Sequence, residues 1–289
     1  MIQIAVVSGK GGTGKTILTA SLATLLSQDK VLIDADVDAA NLSLLLSPTD
    51  LKTQEFRGMD GAVIDSKSCT GCGICAEACV YDAIRKAGDI YEIVPYRCEG
   101  CGTCTIVCPE DAVSMASRIT GMIHYADTSA GPLLYGSLTP GSGNSGLLVH
   151  RLRQEAGLLH PDVPLVLIDG PPGIGCPLIS TITGIQIAIL VTEPSKSAQS
   201  DLLRLITLCR SFRVRMFLVI NRADVNQNIT EDILRVAAEN EIMVLGLIPF
   251  DRTVLTATRQ GVPVTRMSGA ASEAIHQITQ NLSKELDQL

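Results

Sequence analysis

Two groups of residues in this chain have types and spacings that do chemistry. Gly9-Lys10-Gly11-Gly12-Thr13-Gly14-Lys15-Thr16 matches the phosphate-loop pattern G-x-x-x-x-G-K-[ST] in full. It follows the apolar run Ile2–Val7 and opens a segment where Leu18, Leu22, Leu25 and Leu26 recur at helical spacing. Gly11, Gly12, Thr13 and Gly14 let backbone N–H groups turn toward phosphate oxygens, and the helix N-terminus adds partial positive charge. Lys15 is expected to contact the β- and γ-phosphates of ATP, and Thr16 to ligate Mg²⁺. The second group is cysteine. Eight of the ten cysteines fall between 69 and 108, as two runs of spacing C-x2-C-x2-C-x3-C. Nothing in the sequence points to export, so metal ligation is a better account of them than disulfides.

Further stretches bear on the phosphate loop. Leu165–Gly175 reads LVLIDGPPGIG, an apolar strand ending in Asp169, which is placed to hold Mg²⁺ through water. Val31–Leu42 reads VLIDADVDAANL and offers Asp34, Asp36 and Asp38 after a second apolar strand. A carboxylate near a γ-phosphate accepts a hydrogen bond or proton from attacking water; a helix-capping role fits the others.

With the second lysine, Lys10, the loop KGGTGKT resembles the deviant Walker A motif of the MinD/Mrp/nitrogenase iron protein superfamily. That resemblance, over residues 1–50 and about 160–289, implies several things. The chain forms a nucleotide-sandwich homodimer in which Lys10 reaches the partner's phosphates. Asp36 orients the attacking water, and Gly-Pro-Pro-Gly after Asp169 is switch II. Asn221 recognises adenine, and the loop Ile248-Pro249-Phe250-Asp251 closes over the base, with Pro249 against it. Cys176, seven residues after Asp169, matches the offset of a cluster-ligating cysteine near the dimer axis of the nitrogenase iron protein. Two Cys176 thiols facing each other would be an additional thiolate site; a packed switch cysteine is the alternative. Cys209, among Leu205, Leu208 and Phe212, reads as a core residue.

The two cysteine runs repeat beyond cysteine. Gly71-Cys72-Gly73 answers Gly100-Cys101-Gly102, and Asp82-Ala83-Ile84 answers Asp111-Ala112-Val113. Zinc sites more often show two C-x2-C pairs separated by a longer loop. The pattern resembles the two-cluster bacterial ferredoxin, in which the fourth cysteine of each run ligates the other cluster. The resemblance implies two [4Fe-4S] clusters, one on Cys69, Cys72, Cys75 and Cys108, the other on Cys98, Cys101, Cys104 and Cys79. Pro109 follows the second run as in that family, whereas Val80 stands where the first run usually has proline.

Positioning these residues requires alternating strands and helices. Strands are expected at Ile2–Val7, Val31–Asp34, Leu165–Asp169, Ile187–Thr192, Met216–Asn221 and Val244–Ile248. Helices are expected over 16–27, 197–211, 229–240 and 270–287. Two more strands fit Arg118–Tyr125 and Leu133–Leu138, followed by the Gly/Ser/Asn-rich loop 141–146 and a helix to about Gly157. After Ser47 the periodicity is lost. The fold class is therefore α/β, a doubly wound, mostly parallel sheet, with an inserted α+β ferredoxin-like domain. The expected division is 1–60 and 118–289 for the ATPase domain and 61–117 for the insert.

Composition excludes several classes. Hydrophobic residues make up 46% of the 289, enough for a sizeable core. Aromatics are 3%, Trp is absent, and the net charge is −7 without a basic run, which disfavours nucleic acid as a partner. No apolar stretch reaches the roughly 20 residues that span a membrane, and the first residues lack a secretory pattern. The expected location is the cytoplasm. The expected partner is a redox protein or an apo-metalloprotein, and the insert's eight acidic against four basic residues suit a basic redox surface. Four activities come into question. ATP-gated electron transfer leads; the alternative is metallocluster assembly or delivery. A positioning ATPase needs a basic amphipathic tail or basic patches, and an amidoligase needs a glutaminase domain; neither feature is present.

Overall fold

The computed structural model describes residues 1–288, the side chain of Asp50 excepted; Leu289, last of the expected 118–289 segment, lies outside the described residues. In chain order the elements are β1 (Ile2–Ser8), α1 (Lys15–Leu25), β2 (Lys30–Asp34), α2 (Leu42–Leu46) and β3 (Thr49–Arg57). Then come β4 (Gly61–Ile64), α3 (Ile74–Glu77), β5 (Ile84–Ala87), β6 (Ile90–Ile93), α4 (Thr103–Val107) and β7 (Val113–Ala116). The chain continues with β8 (Ile119–Thr128), β9 (Gly131–Leu138), α5 (Ser145–Leu159), β10 (Leu165–Pro172), α6 (Cys176–Ile182) and β11 (Ile187–Thr192). It ends with α7 (Lys196–Ser211), β12 (Arg215–Asn221), α8 (Gln227–Glu239), β13 (Met243–Ile248), α9 (Thr253–Gln260) and α10 (Ala270–Leu286).

Nine strands form one sheet in the order β13-β12-β11-β1-β10-β2-β9-β8-β3. The pairs from β13 to β9 are parallel, and β8 and β3 close one edge antiparallel. Central strands are apolar on both faces because helices cover both. Ile4 and Val6 of β1 pack with Leu18 and Leu22 of α1 and Ile275, Ile278 and Leu282 of α10. Ala5 and Val7 face the opposite layer, with Leu148 and Leu152 of α5, Leu178 of α6 and Leu205 of α7. The apolar stripe of α10 is thus spent inside the core. Among the described residues no helix is long and apolar enough to cross a membrane.

The expected parallel strands are all present. Strand β3 was not expected: as an edge strand it exposes Lys52, Thr53, Gln54 and Glu55, so it carries no apolar alternation. It pairs with β8 along its length. The short helices α2, α6 and α9 likewise have no signal in sequence, since each is too short to show a period.

Residues 61–116 contribute no strand to the large sheet. They make two small antiparallel pairs, β4 with β7 and β5 with β6. Their mutually packed buried side chains are Ala62, Cys75, Ile84, Cys104 and Val113. A core this small, in which two of the side chains are thiols, is thin support for more than fifty residues.

Candidate nucleotide site and thiolate pockets

The glycine loop joins the C-terminal end of β1 to α1. Gly12 and Gly14 have φ of +77° and +96°, a region that side chains avoid. A Cβ on Gly14 would also lie 2.4 Å from Asn221 Nδ2. Inside the loop Thr13 is 1% exposed, and its Oγ1 has no hydrogen-bond partner in the protein. A buried orphan hydroxyl in a glycine loop fits an external oxygen ligand such as a phosphate.

Lys15 is buried and donates to Ser8 Oγ at 2.9 Å. Burial lowers its pKa, opposed by the nearby carboxylates of Asp169, Asp36 and Asp34. Asp169, at the end of β10, is 1% exposed and lies in register with Val6 and Asp34. Burial pushes its pKa up to about 6, against the Thr16 hydroxyl, the Lys15 charge and the Thr19 hydroxyl, which favour the anion. Thr19 Oγ1 donates to Asp169 Oδ1 at 2.9 Å. The two residues expected to share Mg²⁺, Thr16 and Asp169, therefore lie together.

Asp34 is fully buried, and its pKa is raised well above the carboxylate range by burial and by Asp169 alongside. Its Oδ1 accepts from Asp36 N at 3.0 Å, and its Oδ2 accepts from Asn41 N and Leu42 N, each at 2.9 Å. Asp34 thus holds the turn that carries Asp36 and caps the start of α2, the role expected of a flanking aspartate. Asp36 is half-buried; burial raises its pKa and Lys15 opposes the rise. The Gly-Pro-Pro-Gly turn after Asp169 is anchored to the same place, with Gly173 N donating to Ser8 O at 3.1 Å.

Lys10 points away from the loop interior. Its Nζ lies 2.6 Å from Glu193 Oε1 and donates to Ser195 Oγ at 3.2 Å, and Glu193 also pairs with Arg222 at 2.9 Å. Asn221 Nδ2 donates to Thr13 O at 2.8 Å, so in this chain it braces the phosphate loop. The loop with Pro249 lies beside it: Ala223 N donates to Ile248 O at 3.0 Å, and Phe250 N to Asp224 Oδ1 at 2.6 Å. Ser8, Thr19 and Glu193 were not singled out from sequence. Thr19 alone had a signal, one helical turn after Lys15 and Thr16.

The cysteines gather in two pockets. One is lined by Cys69, Cys72, Cys75 and Cys108, the other by Cys79, Cys98, Cys101 and Cys104. The fourth cysteine of each run crosses to the other run's pocket. The internal repeat governs the backbone as well. Gly71, Gly73 and Asp82 have positive φ, and so do Gly100, Gly102 and Asp111. Ala83 N donates to Cys79 Sγ and Ala112 N to Cys108 Sγ, both at 3.3 Å. Burial raises the Cys75 and Cys104 thiols, with neighbouring cysteines adding to the rise, among them Cys75 of the other pocket in the case of Cys104. The Thr103 hydroxyl lowers Cys101. Among the described residues no three Cys, His, Asp or Glu side chains converge closely enough to hold a single metal ion.

Cys176 is exposed at the first turn of α6. Cys209 is fully buried and its thiol is pushed up to about 12 by burial. Asn144 and Ser142 do not cap α5. Asn144 Oδ1 accepts from Met59 N at 3.4 Å, and Ser142 Oγ donates to Thr120 O at 2.9 Å.

A lysine and a carboxylate buried together at the ends of parallel strands, beneath a glycine loop, make the polyphosphate and Mg²⁺ arrangement of P-loop ATPases, and this chain is one. The family model for the CobQ/CobB/MinD/ParA nucleotide binding domain (CbiA) matches residues 4–264, and the chain belongs to that family. It is 35% identical to an uncharacterised protein of Methanocaldococcus jannaschii over 98% of this chain and 97% of the relative. It is 27% identical to the septum site-determining protein MinD of Synechocystis sp. over 90% of this chain and 80% of that one. Among solved structures, MinD of Pyrococcus horikoshii OT3 complexed with Mg-ADP superposes with a TM-score of 0.60 at 19% identity, covering 99% and 97% of the two chains.

Proposed function

We propose that the chain binds and hydrolyses Mg-ATP as a nucleotide-sandwich homodimer and couples dimer switching to electron transfer through two [4Fe-4S] clusters held by residues 61–117. The observation that carries this reading is the division of eight thiols into two crossed sets of four, in the same chain as a complete phosphate loop. The thiols fit such clusters. They line two pockets in sets of four, backbone amides donate to two of the sulfurs, and the pocket glycines adopt the left-handed turns that bring backbone close. The set Cys69, Cys72, Cys75 and Cys108 would hold one cluster and the set Cys98, Cys101, Cys104 and Cys79 the other, each supplying one-electron chemistry.

The chain's own residues supply the rest. Lys15 balances β- and γ-phosphate charge, and Thr16 with Asp169 holds the hydrated Mg²⁺. Asp36, on the turn fixed by Asp34, orients water. Asn221 and the Pro249 loop line the base. Lys10 leaves Glu193 and reaches the partner's phosphates when two copies close. Closure driven by ATP requires that ATP bind the closed state better than the open one.

A second reading, metallocluster assembly or delivery in the cytoplasm, is favoured by the exposure of Cys176 at switch II. Membrane positioning is not favoured, because the apolar side of α10 is buried. Anaerobic reconstitution followed by iron and sulfide analysis and a redox titration read by EPR, with ADP and then a non-hydrolysable ATP analogue, tests the proposal. Two low-potential centres that respond to nucleotide support it. Two centres indifferent to nucleotide move the reading to delivery, and fewer than eight irons per chain removes the clusters.

A further inference from the structure

The two thiol sets resemble each other closely inside the insert but differ in what lies outside it. The first run is held by residues of the insert itself: Cys69 N donates to Asp65 O, and Gly71 and Gly73 lie against Asp89 and Tyr91. The second run lies against the ATPase core. Arg118, at the crossing from the insert into β8, is half-buried and donates to three carbonyls: Nη2 to Cys98 O at 2.8 Å, Nη1 to Pro95 O at 2.8 Å, and Nε to Met59 O at 3.2 Å. The loop between β9 and α5 lies over the same stretch, where a Cβ on Gly141 would sit 3.5 Å from Tyr96 and one on Gly143 3.7 Å from the Glu99 carboxylate.

That loop is tied to both nucleotide switches. At its start Leu138 N donates to Val37 O at 3.2 Å, between Asp36 and Asp38. At its end, a Cβ on Gly146 would lie 3.3 Å from Cys176 O and 3.1 Å from Ser180 Oγ. Further along α5, Arg153 Nη1 donates to Ser180 O at 2.6 Å and Thr183 O at 2.8 Å, so α5 and α6 are stapled together. A displacement of switch II that carries α6 therefore carries α5 and the loop beside Tyr96 and Glu99. The observed contacts form one contiguous physical chain between the sites.

We infer that the second thiol set, Cys98, Cys101, Cys104 and Cys79, is the one whose redox potential answers to the nucleotide, and that Arg118 is its positioning and tuning residue. The inference rests on the cluster reading above. A fixed cation beside a thiolate-bound centre favours the state with one more electron and raises its potential, and a carboxylate, here Glu99 of the insert beside Gly143, does the opposite. Arg118 makes no hydrogen bond to the first run, whose pocket is lined by Glu110 of the insert, and the potential of that set stays indifferent to ATP.

The test is a potentiometric titration of reconstituted full-length protein, each one-electron wave assigned by its loss in Cys72→Ala or Cys101→Ala protein. In the wild-type chain only the wave lost in Cys101→Ala shifts between ADP and the ATP analogue. In Arg118→Gln that wave moves to more negative potential and its nucleotide shift shrinks, while the other wave stays. Arg118→Lys keeps the charge and returns the wave toward its wild-type position, which a merely structural role would not do. The inference is overturned if the responsive wave is the one lost in Cys72→Ala, or if Arg118→Gln and Arg118→Lys move nothing. Neither result touches the cluster reading, which fails separately if the iron is absent, and ATP gating fails separately if no wave responds.

Discussion

The nucleotide site and the cysteine insert are built on opposite plans. At the nucleotide site the charges are buried by the large sheet and compensate one another before any ligand arrives. Lys15 lies among Asp169, Asp36 and Asp34, and Ser8, Thr19 and the turn amides take up their hydrogen bonds. The insert has two short antiparallel strand pairs and a small apolar cluster, and its thiols line two pockets. One region is a finished scaffold for a ligand; the other, on the cluster reading proposed above, would need its ligand to be a scaffold. Small domains with little apolar burial commonly depend on such a staple.

The largest effect that contrast predicts is on removing metal. Chelation or reconstitution without iron should melt residues 61–117 while the nine-stranded sheet stays folded. Hydrogen exchange would then show lost protection in β4–β7 and retained protection in β1, β10 and β11; equal loss in both regions breaks the comparison. Next is Lys15→Ala, which removes a buried charge-assisted contact to phosphate. Mg-ATP affinity should fall about 100-fold in a calorimetric titration, with the visible absorbance of the insert unchanged. Loss of both would mean that the regions are not separable. Cys79→Ala should then halve the bound iron by depleting the pocket of Cys98, Cys101 and Cys104, detected as loss of one redox wave. Loss of the other wave would sink the crossed assignment.

The smallest effect concerns pH. Asp169 has its pKa raised to about 6 in the folded chain, above the unfolded value, so its contribution to stability is present at low pH and is lost as pH rises through about 6. Asp169→Asn should accordingly stabilise the nucleotide-free protein above pH 6 by about 2 kcal/mol, and much less below pH 4. Mg²⁺ must displace the remaining proton, so Mg-nucleotide affinity of the unmodified protein should weaken about tenfold per pH unit below 6. An affinity flat between pH 5 and 7 would show that the buried carboxylate is already ionised.

Much of the nucleotide site was legible because its signals are local. A glycine loop between a strand and a helix, and an aspartate ending an apolar strand, are each contained in a dozen residues. Asp36 was assigned through resemblance, while the burial of Asp34 and its bonds to Asn41 and Leu42 could not be read from a run of alternating aspartates. Lys10 was read for its reach to a partner. Its ion pair with Glu193 is invisible in sequence because the two lie on different strands' loops. Strand β3 has no signal in sequence because an exposed edge strand needs no apolar alternation. Nothing in the Gly/Ser/Asn-rich loop 141–146 signals in sequence that its Gly141 and Gly143 lie against Tyr96 and Glu99 of the insert.

By itself the sequence determined the parallel core, the phosphate loop and the repeat of the cysteine runs, since each rests on residue types at fixed short separations, where chain geometry limits the outcomes. Tertiary structure alone decided which charges share the buried end of the sheet, which partner holds Lys10, and which thiol set meets Arg118 and the core. Those pairings join residues far apart in the chain, and only packing the two faces of the sheet brings them within hydrogen-bonding distance.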